Sequence, residues 1–209
     1  MKRIIKLMIL LCCLQTQAQE KTFYQSITQK VNYIKTNKNA QNIFFYIDST
    51  LEEDYIKVLN IEKTRQVAKM VDDTLILLEN VCENKDLYPI INVYLRNFPK
   101  EIDVEKNSNV VLSVLRKISI DEFIINADRN SSLSFCAVYD CVFDSLIINQ
   151  KSKSDIYFSK LAINKSFYLK ADNAVFQAND SEIKDNIRQT ILSYKSLIKI
   201  KGYTLNKHR

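Results

Sequence analysis

The sequence predicts a mainly β protein, a short parallel β-solenoid with coils of about 23 residues and capping helices at its N- and C-terminal ends. Ile118–Asn126 is followed 23 positions later by the similar segment Cys141–Asn149. Asn130–Phe135 and Lys153–Phe158 repeat at the same interval, and all four segments alternate apolar and polar residues as half-buried strands do. One such coil cannot bury its apolar face alone, so neighbouring coils must stack. An α+β fold with a helical N-terminal half is the alternative interpretation.

The N-terminus has the pattern of a secretory signal peptide over residues 1–18. A basic start precedes the apolar run Leu7–Leu14, which is too short to span a bilayer, and Ala18 is the small residue that signal peptidase prefers. Cys12 and Cys13 raise lipidation as an alternative, but neither follows the small residue that lipid modification requires. We therefore expect an exported, periplasmic or extracellular protein rather than a lipoprotein.

The exported chain is close to neutral. Of the 30 Lys and Arg residues, three lie in the signal peptide together with none of the 24 Asp and Glu, which leaves a net charge of +3. This charge is too small to indicate nucleic-acid binding, and no transmembrane segment is expected after processing. The length and the lack of a linker-like stretch predict a single domain over 19–202, followed by a tail over 203–209.

The first part of the domain offers helical and strand signals. Over 22–36, the residues Phe23, Ile27 and Ile34 recur at helical spacing and predict a capping helix. Ile43–Ile47 is a candidate strand. Thr64–Leu78 has a good helical face and no helix breaker, and we favour a helix there although part of it also fits the strand pattern.

The repeat core is predicted over about 84–176. Asn84, Asn107 and Asn130 recur at intervals of 23 residues, and with one glycine and two prolines in the chain the turns must use Asn, Asp and Ser. These repeats resemble those of parallel β-helix proteins, and the abundance of Ile, Asn and Lys resembles that of exported proteins of Bacteroidetes-type bacteria. The resemblance implies a fold and attaches no catalytic motif.

Two asparagines, Asn126 and Asn149, occupy the same place in successive coils. Stacked amides at such a place can hydrogen-bond along the stack; the alternative is that they end two unrelated strands. In the same register Ile148 points into the solenoid, whereas Ile147 points outward.

A C-terminal helix is predicted over 181–199. Its apolar stripe recurs at helical spacing, and Gly202 lies just past its end, where helices commonly stop. The stripe consists of Ile183, Ile187, Ile191, Tyr194 and Ile198.

The amino-acid composition argues against several classes of catalytic and metal-binding site. The single histidine, His208, is the penultimate residue and is badly placed for a packed Ser-His-Asp or Cys-His site, or for a histidine-ligated zinc site. One glycine leaves no Gly-rich phosphate loop and no nucleophile elbow. The exported chain keeps Cys82, Cys136 and Cys141, an odd number that leaves at least one free thiol; Cys141 is expected to face inward and Cys136 outward. We predict no cofactor and no metal.

Carboxylates are the only candidate catalytic groups. Asp121 and Asp144 fall at equivalent, outward positions of adjacent coils, about 5 Å apart if the coils stack at strand spacing. Such a pair can act as acid and base or bind a cation. With Arg116, Lys117 and Lys165 nearby, it resembles the charged clusters of solenoid polysaccharide lyases. The alternative is an ordinary solvated face.

The sequence therefore favours an exported, non-enzymatic binding or structural module of the cell envelope. It does not identify the ligand; a protein or a glycan of the envelope is a candidate partner. The alternative is a carbohydrate-acting enzyme that uses the outward carboxylate pair Asp121 and Asp144. Exposed aromatic residues beside the carboxylates favour a glycan binder or an enzyme, whereas a flat face of mixed charge favours a protein partner.

Overall fold

The computed structural model describes residues 22–59, 67–78, 89–183, 188–194 and 196–201. The predicted signal peptide, Cys82, Asn84 and the tail over 203–209 lie outside these residues. Within them every regular element is a β-strand, and no helix is present that would be long and apolar enough to cross a membrane. The strands are β1 (Phe23–Ile27), β2 (Tyr33–Thr36), β3 (Ile43–Ile47), β4 (Asp54–Leu59), β5 (Ala68–Val71), β6 (Thr74–Leu77), β7 (Ile90–Leu95), β8 (Glu101–Val104), β9 (Asn109–Val114), β10 (Ile118–Ala127), β11 (Ser132–Ala137), β12 (Cys141–Gln150), β13 (Asp155–Phe158), β14 (Leu161–Asp172), β15 (Val175–Ala178), β16 (Ser181–Ile183), β17 (Arg188–Tyr194) and β18 (Leu197–Ile200).

The strands form two sheets that enclose one core. Sheet A runs in the order β1-β4-β7-β3-β9-β11-β13-β15-β18, and sheet B in the order β16-β14-β12-β10-β8-β2-β6-β5, with β17 also pairing with β14. From β8 to β15 each coil contributes one strand to sheet B and then one to sheet A, and successive coils pair in parallel. The mainly β, solenoid-like stacking predicted from the sequence is therefore present.

The register confirms the 23-residue repeat. Ile118 pairs with Cys141 and Ile125 with Ile148 in sheet B, while Leu133 pairs with Ile156 in sheet A. Residues in equivalent places of two coils thus stack directly above one another, which explains why the two sequence segments resemble each other.

The stack begins earlier in the chain than the predicted core over 84–176. β2 pairs in parallel with β6 and β8, and β3 pairs in parallel with β7 and β9. The coil made of β2 and β3 therefore lies between the coil of β6 and β7 and the coil of β8 and β9. Ile43–Ile47, predicted as a strand, is β3 and is confirmed. At the outer end, β4 and β1 pair antiparallel and extend sheet A.

The capping helix predicted over 22–36 is wrong, because β1 and β2 occupy this range. Ile27 and Ile34 are buried, as the apolar pattern required, but they are buried by strands. A spacing of four residues places side chains on one face of a helix and equally on one face of a strand, since four is a multiple of two.

The helix predicted over 181–199 is wrong for the same reason. β16, β17 and β18 occupy the described part of this range, and β17 and β18 pair in parallel with the preceding coil. Ile183 is buried and Ile198 packs against the core from β18. Of the stripe, Ile183 and Ile198 are thus buried or packed against the core from two different strands rather than from one helix.

The helix favoured over Thr64–Leu78 is also wrong in its described part, where β5 and β6 form an antiparallel hairpin. The turn consists of Asp72 and Asp73, and Asp72 takes φ 52°. Aspartate tolerates this left-handed conformation better than most residues, so the hairpin forms without glycine.

In the turns of the coils, asparagine residues adopt the left-handed conformation in place of glycine. Asn39, Asn107 and Asn130 all have φ between 54° and 60°, and they stack along the solenoid. Asn107 Nδ2 donates to Asn39 Oδ1 at 2.8 Å, and Asn130 Nδ2 donates to Asn107 Oδ1 at 3.1 Å. The 23-residue spacing of Asn107 and Asn130 therefore marks a repeated left-handed turn, and Asn39 takes the same conformation in the coil below.

Candidate functional site

The outer faces of the two sheets carry the candidate sites. The Asn126–Asn149 ladder predicted from the sequence is confirmed on sheet B, where Asn149 Nδ2 donates to Asn126 Oδ1 at 2.9 Å. The cysteines take the predicted faces, since Cys141 is buried and Cys136 is half-buried, and both thiols are free. Burial raises the pKa of Cys141 to about 12, so this thiol is unreactive at neutral pH.

Asp121 and Asp144 occupy matching places on β10 and β12. The paired residues Ile120 with Phe143 and Glu122 with Ser145 bracket them in the register. Asp144 accepts hydrogen bonds from Lys165 Nζ and, at 3.2 Å, from Asn164 Nδ2. A role of Asp121 and Asp144 in catalysis stays a prediction.

Lys165 is the cation of this pair. Its hydrogen bond to Asp144 and the charge of Asp144 raise the pKa of Lys165, and the charge of Asp121 adds to the effect. Arg116, expected beside the pair, instead forms an ion pair with Asp48, with 3.3 Å between Arg116 Nε and Asp48 Oδ1. The stacked carboxylates therefore share one exposed lysine.

A second pair of carboxylates, on β8, was not found from the sequence. Asn126 Nδ2 donates to Glu101 Oε1 and to Asp103 Oδ1, both at 2.7 Å. Glu101 and Asp103 are two residues apart on one strand and so share a face. The pKa of Glu101 is raised, first because the carboxyl is partly buried and second because Asp103 lies beside it.

The asparagine ladder leads from this pair into a cleft of about 240 Å³ on the outer side of sheet B. Ion pairs lie along it: Lys35 Nζ is 3.3 Å from Glu105 Oε1, and Lys151 Nζ is 3.5 Å from Asp128 Oδ1. Most of its polar groups thus already have protein partners. The cleft is lined by Asp103, Val104, Glu105, Asn126, Ala127, Asp128, Asn149 and Lys151.

Changing Glu101 to Gln is expected to stabilise the protein at neutral pH. Because the pKa of Glu101 is raised in the folded state above its ordinary 4.5, the wild type loses stability as pH rises through the folded value. Glutamine keeps the acceptor for Asn126 and carries no charge. Thermal melts should show a higher melting temperature for Glu101→Gln at pH 7 and no difference below about pH 4. Glu122→Gln, an exposed carboxylate on β10, is the control, and an equal gain there would contradict the cause given.

Sheet A carries a row of tyrosines on its outer face. Tyr46, Tyr94 and Tyr55 lie on the neighbouring strands β3, β7 and β4 and pair directly in register. Ring centroids are 4.9 Å apart for Tyr46 and Tyr94 and 4.5 Å for Tyr94 and Tyr55, with interplanar angles of 19° and 14°. Tyr24 of β1 covers the end of this stack at Tyr55, tilted at 6.4 Å. We call these four residues the tyrosine row.

The stack is partly shielded from solvent, since Tyr46, Tyr55 and Tyr94 are half-buried. The pKa of Tyr94, in the middle, is raised first by burial and then by the neighbouring tyrosines. Because the rings cover each other's faces, the row presents ring edges and hydroxyl groups to solvent. Nothing in the 23-residue pattern marks it, because Tyr24 and Tyr55 lie on the antiparallel strands β1 and β4.

Two ion pairs border the tyrosine row where its strands end. Asp54 is buried and accepts from the backbone N of Arg96 at 2.8 Å and from its Nε at 3.0 Å. Asp48 follows β3 and pairs with Arg116; hydrogen bonds from Thr50 lower the pKa of Asp48 first, and Arg116 adds to this. The surface thus combines fixed aromatic rings with charged hydrogen-bonding groups at one edge.

No protein-family model matches the chain, and no curated protein matches it. Solved structures of similar fold include a candidate adhesin of Parabacteroides merdae, 13% identical over 88% of this chain and 97% of that chain, with a TM-score of 0.42. A candidate adhesin of Bacteroides fragilis is 11% identical over 88% and 97%, with a TM-score of 0.44. A candidate lipid-binding protein of Parabacteroides distasonis is 12% identical over 88% and 97%, with a TM-score of 0.37. The likeness concerns the course of the chain and carries no ligand or activity over to this protein.

Proposed function

We propose that the chain is an exported, non-enzymatic binding module of the cell envelope, and that its ligand docks on the outer face of sheet A. The tyrosine row is the observation that supports this. Tyr46, Tyr55 and Tyr94 are half-buried and Tyr24 is 60% exposed, so together they present a large amphipathic surface to solvent. The pattern of a signal peptide over residues 1–18 supports export.

Tyrosine suits a binding surface for physical reasons. Its ring offers a large apolar area and its hydroxyl offers a hydrogen bond, at a small cost in side-chain entropy. In the tyrosine row this cost is lower still, because Tyr94 is held between Tyr46 and Tyr55 before any ligand arrives. The paired arginines Arg96 and Arg116 add donors at the edge of the same surface. A ligand that meets this face therefore finds fixed groups rather than mobile ones.

Changing Tyr94 to Ala is expected to weaken binding to the envelope by about tenfold or more, since it removes the middle ring and frees both neighbours. Sedimentation of the purified chain over 19–209 with the envelope fraction of the producing cells measures this. Tyr168→Ala, a half-buried tyrosine on the outer face of sheet B, is the matched control and should bind as the wild type does. The proposal would be refuted if the Tyr94→Ala protein had the melting temperature of the wild type and sedimented with the envelope to the same extent.

A carbohydrate-acting enzyme is the second candidate, and the carboxylate pair on sheet B favours it. Glu101 has a raised pKa and shares the amide of Asn126 with Asp103, which lines the cleft. A carboxyl group that keeps its proton more tightly suits a general acid, with the other carboxylate as base. Release of reducing ends from envelope polysaccharide tests this, and Glu101→Gln should abolish the release. If wild type and variant release equal amounts, this candidate fails.

A further inference from the structure

The stack of the tyrosine row has one open end. Tyr24 covers the stack beyond Tyr55, but at Tyr46 the described residues place no ring on the face that points away from Tyr94. The residue beside Tyr46 on β9 is Ser113, and the next one on β11 is Cys136. Both side chains are short. Tyr46, Ser113 and Cys136 therefore form a step, with a ring as its wall and small residues as its floor, which we call the shelf.

The spacing of the shelf matches a ring. The existing rings stack at 4.5 and 4.9 Å because they stand on strands that are about 4.8 Å apart. A flat ring placed over Ser113 would lie at the same distance from Tyr46 and would continue the stack. On the outer face the space over Ser113 is bordered by Phe44 on β3, Val111 on β9 and Ser134 on β11. None of these three side chains stands in register with Ser113.

The distribution of charged side chains around the shelf indicates which kind of ligand ring would fit there. In register, the row from Tyr55 through Tyr46 to Cys136 contains no charged side chain, and neither do the flanking positions Val111 and Ser134. On the strands of the shelf itself, the nearest charged groups are Asp48 and Arg116, which pair with each other. At the other end of the row, Lys57 lies two residues from Tyr55 on β4, with its Nζ 5.8 Å from the centroid of the Tyr24 ring. A charged ligand would find no unpaired opposite charge in these positions. A neutral ring that carries hydroxyl groups would find both an acceptor and a donor in the Asp48–Arg116 pair.

We propose that the shelf binds a neutral pyranose ring of a glycan, with the C–H face of the sugar against the free face of Tyr46 and its hydroxyl groups toward Asp48 and Arg116. This inference rests on the proposed binding function and names its ligand class. An aromatic side chain of a partner protein would match the ring but would leave the Asp48–Arg116 pair without new hydrogen-bond partners. A sugar can both stack on the ring of Tyr46 and form hydrogen bonds with Asp48 and Arg116.

Cys136 provides a direct probe of the shelf. Its thiol is half-buried on the outer face of sheet A, while Cys141 is buried with a pKa of about 12. With Cys82 changed to Ser, a thiol reagent such as DTNB reports on Cys136 in the chain over 19–209. Saturating neutral hexasaccharides of glucose, mannose or galactose are the probes, and at least one should slow the reaction by about tenfold. A hexasaccharide of glucuronic acid, which is charged, should not slow it.

Ser113→Phe fills the shelf and supplies the matched variant. It should abolish the protection of Cys136, whereas Gln177→Phe, on the same face but on β15, should leave it intact. Protection that persists in Ser113→Phe, or is absent with every neutral sugar, overturns the inference. If no sugar protects but Tyr94→Ala still lowers binding to the envelope, the inference fails and the binding function stands. If both effects are absent, both fail.

Discussion

Replacing Phe143 with alanine is expected to lower the free energy of unfolding by about 3–5 kcal/mol. Phe143 is fully buried in an aromatic cluster that joins two neighbouring coils and both sheets. Its ring centroid lies 5.5 Å from that of Phe135, 6.0 Å from that of Phe123 and 6.2 Å from that of Phe158. Phe123 and Phe135 stand on the preceding coil, and Phe135 and Phe158 stand on the facing sheet. The cavity left by alanine therefore removes contacts to the neighbouring coil and across the core.

The cluster cannot close that cavity easily. Phe123 and Phe158 stand on strands that pair in parallel with neighbouring strands, so the backbone cannot shift to close the cavity without disturbing this pairing. Phe44→Ala is the control, because Phe44 is half-buried on the outer face of sheet A and should cost only about 1 kcal/mol. Denaturant unfolding of both variants measures the difference. Similar losses would mean that the aromatic cluster is not the core of the fold.

The central coils were predictable because stacking imposes sequence similarity. Asn126 and Asn149 hydrogen-bond to each other, and Ile125 lies directly beside Ile148, so equivalent places require equivalent residues. The stacking of Asp121 and Asp144 followed from the same register. Alternation then assigned the inward and outward faces, including those of Cys136 and Cys141. Where two similar coils stack, the same pattern of residues therefore occurs twice in the sequence and can be detected there.

The ends were not predictable from periodicity. Apolar residues such as Phe23 and Ile27, four positions apart, satisfy a helix and a strand alike, and only pairing with a neighbour decides between them. That pairing is long-range: β1 lies on β4, and β2 lies between β6 and β8. The local sequence does not indicate which distant strands become neighbours. The order of the coils and the antiparallel pairing of β1, β4 and β7 are therefore known only from the structure.

The same limit applies to the candidate sites. The tyrosine row joins Tyr46, Tyr55 and Tyr94 across strands that are not related by the repeat. Glu101 and Asp103 share one strand, and a spacing of two was visible, but Asn126 gives the pair its geometry from the next coil. A site built between coils becomes visible from sequence only when both coils carry the same residues, as Asp121 and Asp144 do.

Truncating Ile148 to alanine is expected to cost about 2–5 kcal/mol, whereas truncating its neighbour Ile147 should cost about 1 kcal/mol. Ile148 is fully buried and lies in register between Ile125 and Leu169, so it fills the interior of two coil interfaces at once. Ile147 is half-buried on the outer face of sheet B, with Tyr168 beside it.

The comparison of Ile147 with Ile148 tests the strand register itself. The two residues are chemically identical and adjacent, so composition and strand propensity are the same for both variants. In a strand they point to opposite faces, and their costs must differ; in a helix they would be only about 100° apart and both could be buried. A slip of the register by one residue would exchange the two costs. Denaturant melts of Ile147→Ala and Ile148→Ala therefore decide the matter: equal losses, or a larger loss at Ile147, would show that the coils do not stack with Ile125, Ile148 and Leu169 in one interior column.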